Sequence, residues 1–241
     1  MKRNRILITG ATGAIGREIA GALAKDGACL FLHCLKSAEK MDSLKFLCEG
    51  AGARTRVKFS DISRADAAKG LVEDAANAMG GIDAIIHCAS IFKRTPLGEV
   101  SEDIWDETIA ANLKSSFFLA QTAGGLMRDN GGSIIMMSDL ASTRPYAGYL
   151  PYCISKAGID AMVKGMAKAL APKIIVNAIA PYVVTRHSEI SDKGWNDILS
   201  KIPMHRPTDV SEIVRIVSFL LDSDCTMTGE IIKIDGGRSL L

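Results

Sequence analysis

The stretch RILITGATGAIGREIAGALAKDG, residues 5–27, places an apolar run, a glycine-rich turn and a helical pattern in succession. Residues 5–9 predict a short buried strand, and the apolar residues after Gly16 recur at helical spacing until Gly27. In a strand–turn–helix unit, glycines let the backbone approach a pyrophosphate closely, and the helix N-terminus binds the anion. The stretch therefore predicts a nucleotide-binding turn, although an ordinary tight turn uses the same residue types.

Strand and helix patterns alternate along the rest of the chain. Further strands are predicted at residues 28–33, 54–60, 82–87, 133–137, 173–178 and 230–234. One long helix is predicted from about residue 101 to about residue 130, and residues 182–207 are expected to form a substrate-covering loop with a short helix. The pattern predicts one α/β domain over residues 1–241: a Rossmann fold with a doubly wound parallel sheet of about seven strands and helices on both faces.

Composition excludes several classes of function. The 241 residues are 48% hydrophobic and 23% charged, with a net charge of +2 and no basic stripe, so nucleic acid is not an expected partner. The apolar runs are far shorter than the roughly 20 residues of a membrane helix, and the N-terminus has no secretory signal. The six cysteines include no Cys-x-x-Cys pair, which predicts reduced thiols, a cytoplasmic location and no metal site.

The end of the second predicted strand bears on the choice of cofactor. An acidic residue there would bind the ribose hydroxyls of NAD and repel a 2′-phosphate. The chain instead has Cys34, Leu35, Lys36 and Ser37, with no acid before Glu39. NADP(H) is therefore favoured over NAD(H), with Lys36 and Ser37 as phosphate partners; the alternative for Lys36 is a solvated surface lysine.

The stretch DLASTRPYAGYLPYCISK, residues 139–156, contains the candidate chemistry. Tyr152 and Lys156 are four residues apart, a spacing that places both side chains on one face of a helix. A nearby ammonium favours the ionised phenol, so Tyr152 becomes a candidate proton donor and acceptor near neutral pH. The pair alone is also compatible with an ordinary amphipathic helix start.

Motifs in a shared order extend this reading along nearly the whole chain. They are TGATGAIG at residues 9–16, Asp61 after the third strand, Asn112 in the long helix, YCISK at residues 152–156, VNAIAP before the loop, Thr185 beyond it, and TGEIIKIDGG near the end. The chain thereby resembles the short-chain dehydrogenase/reductase family. Within it, the sequence is similar to the pteridine and dihydromonapterin reductase branch and to the 3-oxoacyl-ACP reductases.

The resemblance implies a role for each matching residue. Tyr152 would protonate the group that receives a hydride, Lys156 would lower the pKa of Tyr152 and hold the nicotinamide ribose, and Asn112 would seat a proton-relaying water. The implied cofactor contacts are Gly10, Thr12, Gly13 and Ile15 at the pyrophosphate, Asp61 and Ile62 at the adenine, Cys88 and Ala89 at the adenosine ribose, and Thr185 at the carboxamide. The family also implies a homotetramer or homodimer packed through the helices of Asn112 and Tyr152, with apolar outer residues Phe117, Phe118 and Met162.

Three positions depart from the family pattern. The second glycine of the fingerprint is Ala14, and the usual Asn-Asn-Ala-Gly is His87-Cys88-Ala89-Ser90, which removes an amide that braces the central strands. Most members have a serine thirteen residues before the tyrosine, where this chain has Asp139, with Ser138 one residue earlier.

Asp139 changes the expected substrate chemistry. A serine hydroxyl donates to a substrate carbonyl, whereas an ionised carboxylate repels that oxygen and suits a substrate N–H or a C=N bond that gains a proton. The leading hypothesis is an NADPH-dependent reductase of a C=O or C=N bond in a small molecule, including a dihydropterin. The alternatives are a 3-oxoacyl-ACP reductase, a loop shifted so that Ser138 is the donor, and a dinucleotide-binding redox sensor without catalysis.

Overall fold

A parallel sheet of seven strands forms the centre of the computed structural model, which describes residues 3–186 and 190–241. Its strand order is β3-β2-β1-β4-β5-β6-β7, and every neighbouring pair is parallel. The strands are β1 (Arg5–Thr9), β2 (Cys29–Cys34), β3 (Arg54–Phe59), β4 (Ala84–His87), β5 (Gly132–Met137), β6 (Ile174–Pro181) and β7 (Ile231–Ile234). The predicted Rossmann-type α/β fold is confirmed, and the predicted strand ends agree with the observed ones to within about three residues.

Helices connect the strands. They are α1 (Ala14–Lys25), α2 (Ala38–Gly50), α3 (Ala65–Met79), α4 (Glu102–Ile109), α5 (Ser115–Leu126), α6 (Leu150–Leu170), α7 (Asp192–Ser200) and α8 (Val210–Leu220). The single long helix predicted near residues 101–130 is wrong in one respect, because a π-helical turn at Ala110–Lys114 separates α4 from α5. Such turns widen a helix locally and are frequent at functional sites.

Alternation along the strands builds a core on each side of the sheet. Ile6 and Ile8 of β1 pack in a cluster with residues of α1, α2 and α8, while Leu7 between them packs with residues of α3, α5 and α6. Successive side chains of a strand point to opposite faces, so a strand buried on both faces reads as a continuous apolar run. This explains why the strands were recognisable from composition alone.

The strand order creates a crevice at one edge of the sheet. The chain moves outward from β1 to β3 on one side and from β4 to β7 on the other, so β1 and β4 flank the point where the direction reverses. Ligands of open parallel sheets bind at the carboxyl ends of strands at such a point. The segments that follow β1, β4 and β5 start at Gly10, Cys88 and Ser138, and all three open onto this edge.

Within residues 3–186 and 190–241, no helix combines the length and the apolar character needed to cross a membrane. All six cysteines are free thiols, and five of them are buried.

Candidate active site

The glycine turn after β1 brings two backbone segments into close contact. Gly10 has φ +64°, and a Cβ atom at this position would lie 2.6 Å from the backbone nitrogen of Ala89. Gly13 is the N-cap of α1 and no side chain caps the helix, while Gly13 and Ala14 are exposed. The first N–H groups of α1 are therefore open to an anion, and this cradle fits a pyrophosphate. Thr12 and Ile15 are half-buried beside it.

The segments after β2 and β3 adjoin one another. The pKa of Asp61 is lowered, mainly by the hydrogen bond that its carboxylate accepts from the Ser63 backbone N–H at 3.0 Å. Lys36 is exposed, and its positive charge also contributes to lowering this pKa. Ser37 is the N-cap of α2, yet its hydroxyl makes no capping hydrogen bond. Ile62 is almost fully buried, at 6% exposure, so little of its side chain is open to the crevice.

His87 replaces the strand-bracing amide that the sequence lacks. Its Nδ1 lies 2.6 Å from the Thr9 hydroxyl, which joins the ends of β4 and β1. Burial lowers the pKa of His87 to about 3, so the ring is neutral. The predicted loss of a brace at this position is therefore offset by an imidazole, and Nε2 of His87 is buried without a hydrogen-bond partner in the described structure.

Cys88 and Ala89 lie directly against the glycine turn. The backbone N–H of Cys88 donates to the Thr9 carbonyl at 3.1 Å, and the N–H of Ala89 donates to the Thr9 hydroxyl at 3.4 Å. Burial raises the pKa of the Cys88 thiol to about 12, so it is a neutral lining group. Thr185 follows β6 and is exposed, just before residues 187–189, which lie outside the described structure.

Asp139 and Tyr152 are in direct contact. The Tyr152 hydroxyl donates to Oδ2 of Asp139 at 2.7 Å, across the gap between the end of β5 and the first turn of α6. The other carboxylate oxygen, Oδ1, accepts from the Ala141 backbone N–H at 2.7 Å and from the Tyr146 hydroxyl at 3.3 Å. Asp139 thus caps a 3₁₀ turn at Leu140–Ser142 and also contacts the candidate acid.

The ionisation of this cluster differs from the sequence-based expectation. The pKa of Tyr152 is raised well above 10, first by burial and then by the Asp139 carboxylate, rather than lowered by Lys156. The Lys156 ammonium lies 5.5 Å from the centre of the Tyr152 ring and donates to the Met137 carbonyl at 2.8 Å. Burial lowers the pKa of Lys156 to about 8. Burial therefore holds Tyr152 as a neutral hydroxyl, and the Asp139 carboxylate, whose own pKa is raised by burial, adds to this effect.

Ser138 faces away from Tyr152. Its hydroxyl donates to Oδ1 of Asp160 at 2.5 Å, which ties the end of β5 to α6. Asp139 caps the 3₁₀ turn and also contacts Tyr152, whereas the Ser138 hydroxyl is engaged with Asp160. Which of the two meets a substrate stays a prediction. Adjacent residues of an extended backbone point to opposite sides, and Asp139, with φ −159° and ψ 152°, points to the side of Tyr152.

Asn112 lies in the π-helical turn and is fully buried. Its Oδ1 accepts from the Ile91 backbone N–H at 2.8 Å, and its Nδ2 donates to the Ile91 carbonyl at 3.0 Å and to the Ser155 hydroxyl at 3.1 Å. Ser155 in turn donates to the Tyr152 carbonyl at 2.6 Å. Both amide hydrogens of Asn112 are engaged, and Oδ1 and the backbone carbonyl each accept one hydrogen bond already, so the predicted water could bind only to a second lone pair of one of these oxygens.

Aromatic residues that the sequence analysis did not single out surround Tyr152. Phe92 stacks on Tyr149 with ring centres 4.3 Å apart and meets Tyr152 edge-on at 4.7 Å. The ring centres of Tyr182 and Tyr146, whose hydroxyl donates to Asp139, lie 6.4 Å apart. Tyr146, Tyr149 and Tyr152 recur at every third residue of the stretch 139–156, and this spacing could have indicated an aromatic cluster around Tyr152.

Comparison with known proteins agrees with this architecture. A family model described as enoyl-(acyl carrier protein) reductase matches residues 10–239. The 3-oxoacyl-[acyl-carrier-protein] reductase FabG of Thermotoga maritima is 33% identical over 236 residues, which are 96% of each chain. The (2S)-[(R)-hydroxy(phenyl)methyl]succinyl-CoA dehydrogenase subunit BbsD of Thauera aromatica is 30% identical, over 99% of this chain and 98% of that protein.

A solved structure shares the whole fold. The short-chain dehydrogenase/reductase of Serratia marcescens superposes with a TM-score of 0.90 at 27% identity, covering 97% of both chains. Sequence and structure matches therefore extend over almost the entire length, including the glycine turn and the segment with Tyr152 and Lys156. The chain belongs to the short-chain dehydrogenase/reductase family of oxidoreductases.

Proposed function

We propose that this protein is an NADPH-dependent reductase that acts on a C=O or C=N bond, with Tyr152 as the proton donor. The observation that carries the proposal is the 2.7 Å hydrogen bond from the Tyr152 hydroxyl to Asp139, at the carboxyl edge of the sheet and next to an open anion cradle. A general acid must hold its proton at working pH. The high pKa of Tyr152 keeps the proton on the hydroxyl before the reaction.

The residues around Tyr152 have separate roles in the proposed reaction. A bound nicotinamide would supply the hydride. Tyr152 gives its proton to the oxygen or nitrogen of the reduced bond, and the negative charge left on the phenolate oxygen is stabilised by the Lys156 ammonium on the same helix face. Lys156 uses one hydrogen for the Met137 carbonyl and keeps two for ribose hydroxyls. Asn112 positions Tyr152 through Ser155.

The proposed preference for NADPH rests on the segment between β2 and α2. Lys36 is exposed there, the Ser37 hydroxyl makes no capping bond, and the N-terminus of α2 adds backbone N–H donors. Lys36→Ala is expected to weaken NADPH binding while leaving NADH binding unchanged, as measured by fluorescence titration. Lys40→Ala, an exposed lysine one turn later in α2, is the matched control and is expected to change neither.

Two substrate classes fit different observations. The Asp139 carboxylate accepts hydrogen bonds from its surroundings, which favours a substrate that presents an N–H beside a conjugated imine, such as a dihydropterin. The Thermotoga relative is named as a reductase of 3-oxoacyl thioesters, which favours a ketone. For a ketone, Asp139 would act only through the Tyr152 hydroxyl.

Turnover of a dihydropterin and of an acetoacetyl thioester separates the two classes. If the imine class is right, Asp139→Ser abolishes pterin reduction and spares or improves ketone reduction. If the ketone class is right, the unmodified protein reduces the thioester and shows no pterin activity. Ser138→Ala is the matched control, since its hydroxyl binds Asp160 and faces away from Tyr152, and it is expected to leave the ratio of the two activities unchanged.

We also propose self-association through the surface of α5 and α6. Phe117 on α5 is 42% exposed and Ile154 on α6 is 45% exposed, whereas Phe118 and Met162 pack partly into the core. Burying exposed apolar side chains between copies would give a homodimer or homotetramer. Light scattering of Phe117→Glu is expected to show a smaller assembly than that of the unmodified protein, and Phe46→Glu on α2, also exposed, is expected to show no change.

A further inference from the structure

A cavity of about 370 Å³ adjoins the Asp139 and Tyr152 pair. It lies between the segment after β5, the residue after β6, the end of α7 and the turn after β7. Its lining residues are Leu140, Thr143, Arg144, Pro145, Tyr146, Tyr182, Ile198, Lys201 and Arg238. The cavity therefore gathers side chains from four separate segments at the same edge of the sheet as the proposed reaction site.

The charged side chains of this cavity are all positive. Arg144, Lys201 and Arg238 line it, and none of its lining residues in the described chain is acidic. Asp235 precedes Arg238 closely, but its two oxygens accept the backbone N–H groups of Gly237 at 3.0 Å and Ser239 at 2.7 Å. Three cations around one cavity repel each other, so a ligand that supplies negative charge is favoured there.

The two arginines are held in place. Nη1 of Arg144 donates to the Arg238 carbonyl at 2.7 Å, which joins the segment after β5 to the C-terminal turn. The Arg238 guanidinium lies 6.0 Å from the centre of the Tyr182 ring. Guanidinium groups fixed in this way have less rotational freedom to lose when they bind an anion, and their fork matches carboxylate and phosphate oxygens.

One side chain joins the cavity to the reaction site. Tyr146 lines the cavity with its ring and donates its hydroxyl to Asp139, whose other oxygen accepts from Tyr152. Leu140, the residue after Asp139, also lines the cavity. A molecule with its reacting bond at Tyr152 would therefore extend past Tyr146 and Tyr182 toward the three cations.

We propose that this cavity binds an anionic group, a carboxylate or a phosphate, carried by the substrate at the end remote from the bond that is reduced. Arg144, Lys201 and Arg238 bind the anion, and the rings of Tyr146 and Tyr182 cover the apolar portion between the anion and Tyr152. The inference rests on the proposed reductase function and assigns specificity within the same site.

Matched ketones test the proposal through kinetics. Levulinate and acetol phosphate carry an anion, and methyl levulinate and acetol are their neutral counterparts. Arg238→Met and Lys201→Met are each expected to raise KM for the anionic ketones about tenfold, with kcat and the neutral ketones little changed. Lys201→Arg is expected to restore the low KM. Lys193→Met, an exposed lysine of α7 outside the cavity, is the control for net charge.

Binding gives a second readout that does not need turnover. Trp195 lies one helical turn before Ile198, so in a Trp105→Phe background its fluorescence reports on the cavity. Levulinate or acetol phosphate is expected to change that fluorescence, and the change is expected to vanish with Arg238→Met. The anion that binds more tightly identifies the group carried by the substrate.

The outcomes separate the two claims. If no ketone is reduced but the fluorescence response to anions depends on Arg238 and Lys201, the reductase proposal fails for these substrates and the anion site stands. If anionic and neutral ketones bind alike, and the substitutions change neither KM nor fluorescence, the anion site is overturned whatever the turnover.

Discussion

Replacing Asp139 by Asn probes the interaction that sets the ionisation of Tyr152. The carboxylate accepts the phenol hydrogen at 2.7 Å and places a negative charge beside the site where a phenolate would form. Both effects favour the neutral phenol, so removing the charge is expected to lower the pKa of Tyr152 from its raised value. The amide keeps the size of the side chain and an oxygen that accepts hydrogen bonds.

The magnitude follows from the strength of a charged hydrogen bond. Such bonds contribute roughly 1.5–3 kcal/mol, and one pKa unit corresponds to about 1.4 kcal/mol. The pKa of Tyr152 should therefore fall in Asp139→Asn, by a shift that corresponds to the energy of this bond. Burial also raises this pKa and remains in the variant, so the value is expected to stay at or above that of a free tyrosine.

Ultraviolet titration of phenolate absorbance measures the effect. The chain has four tyrosines, so the signal of Tyr152 is obtained by subtracting the titration of Tyr152→Phe from that of the parent, in the presence and absence of Asp139→Asn. Tyr182→Phe, which removes a tyrosine without a bond to Asp139 in the described structure, controls for the subtraction. An unchanged or higher pKa of Tyr152 in Asp139→Asn would refute the reasoning.

Three further predictions follow from other parts of the site. Gly10→Ala places a Cβ 2.6 Å from the Ala89 nitrogen and should abolish NADPH binding by fluorescence, whereas Gly27→Ala, also at positive φ but in open space, should cost about 1–3 kcal/mol of stability and leave binding intact. Because the pKa of His87 is lowered from 6.5 to about 3, neutral His87 stabilises the fold above about pH 6.5, and this stability is lost as pH falls toward 3. Denaturant titrations at several pH values should show a smaller loss of stability at low pH in His87→Asn. An equal dependence of the unfolding free energy on pH in both proteins would contradict this. Reduction should decline as pH rises through about 8, where Lys156 loses its proton, and Lys156→Arg should move that limb to higher pH in a pH–rate profile.

The fold was largely predictable from the sequence because its strands are buried on both faces. A run such as ILI in β1 is apolar throughout, and the glycine turn after it marks where the helix begins. The π-helical turn around Asn112 could not be predicted, since the same residues satisfy an ordinary helical pattern. Asn112 in this turn pairs with the Ile91 backbone, a contact across 21 positions that a local pattern does not contain.

The sequence indicated that Asp139, Tyr152 and Lys156 lie close together, but it did not indicate how their side chains are oriented. Whether Ser138 or Asp139 faces Tyr152 depends on a register of one residue at the end of β5, which composition does not encode. The raised pKa of Tyr152 was also not predicted from the sequence. The four-residue spacing indicates that Lys156 lies near Tyr152 on the helix, but it does not indicate that the Asp139 carboxylate contacts the phenol from another segment. The anion cavity could not be predicted either, because Arg144, Lys201 and Arg238 are far apart in the sequence and meet only in the folded chain.

NADPH oxidation by the Tyr152→Phe protein, measured beside the unmodified protein on whichever ketone or dihydropterin the latter reduces, tests the central claim most directly. The ring and its contact with Phe92 are kept, and only the hydroxyl is removed. The account predicts a loss of roughly 10²–10⁴-fold in kcat with NADPH binding unchanged. Turnover equal to that of the unmodified protein would contradict it, since Tyr152 would then not be the proton donor.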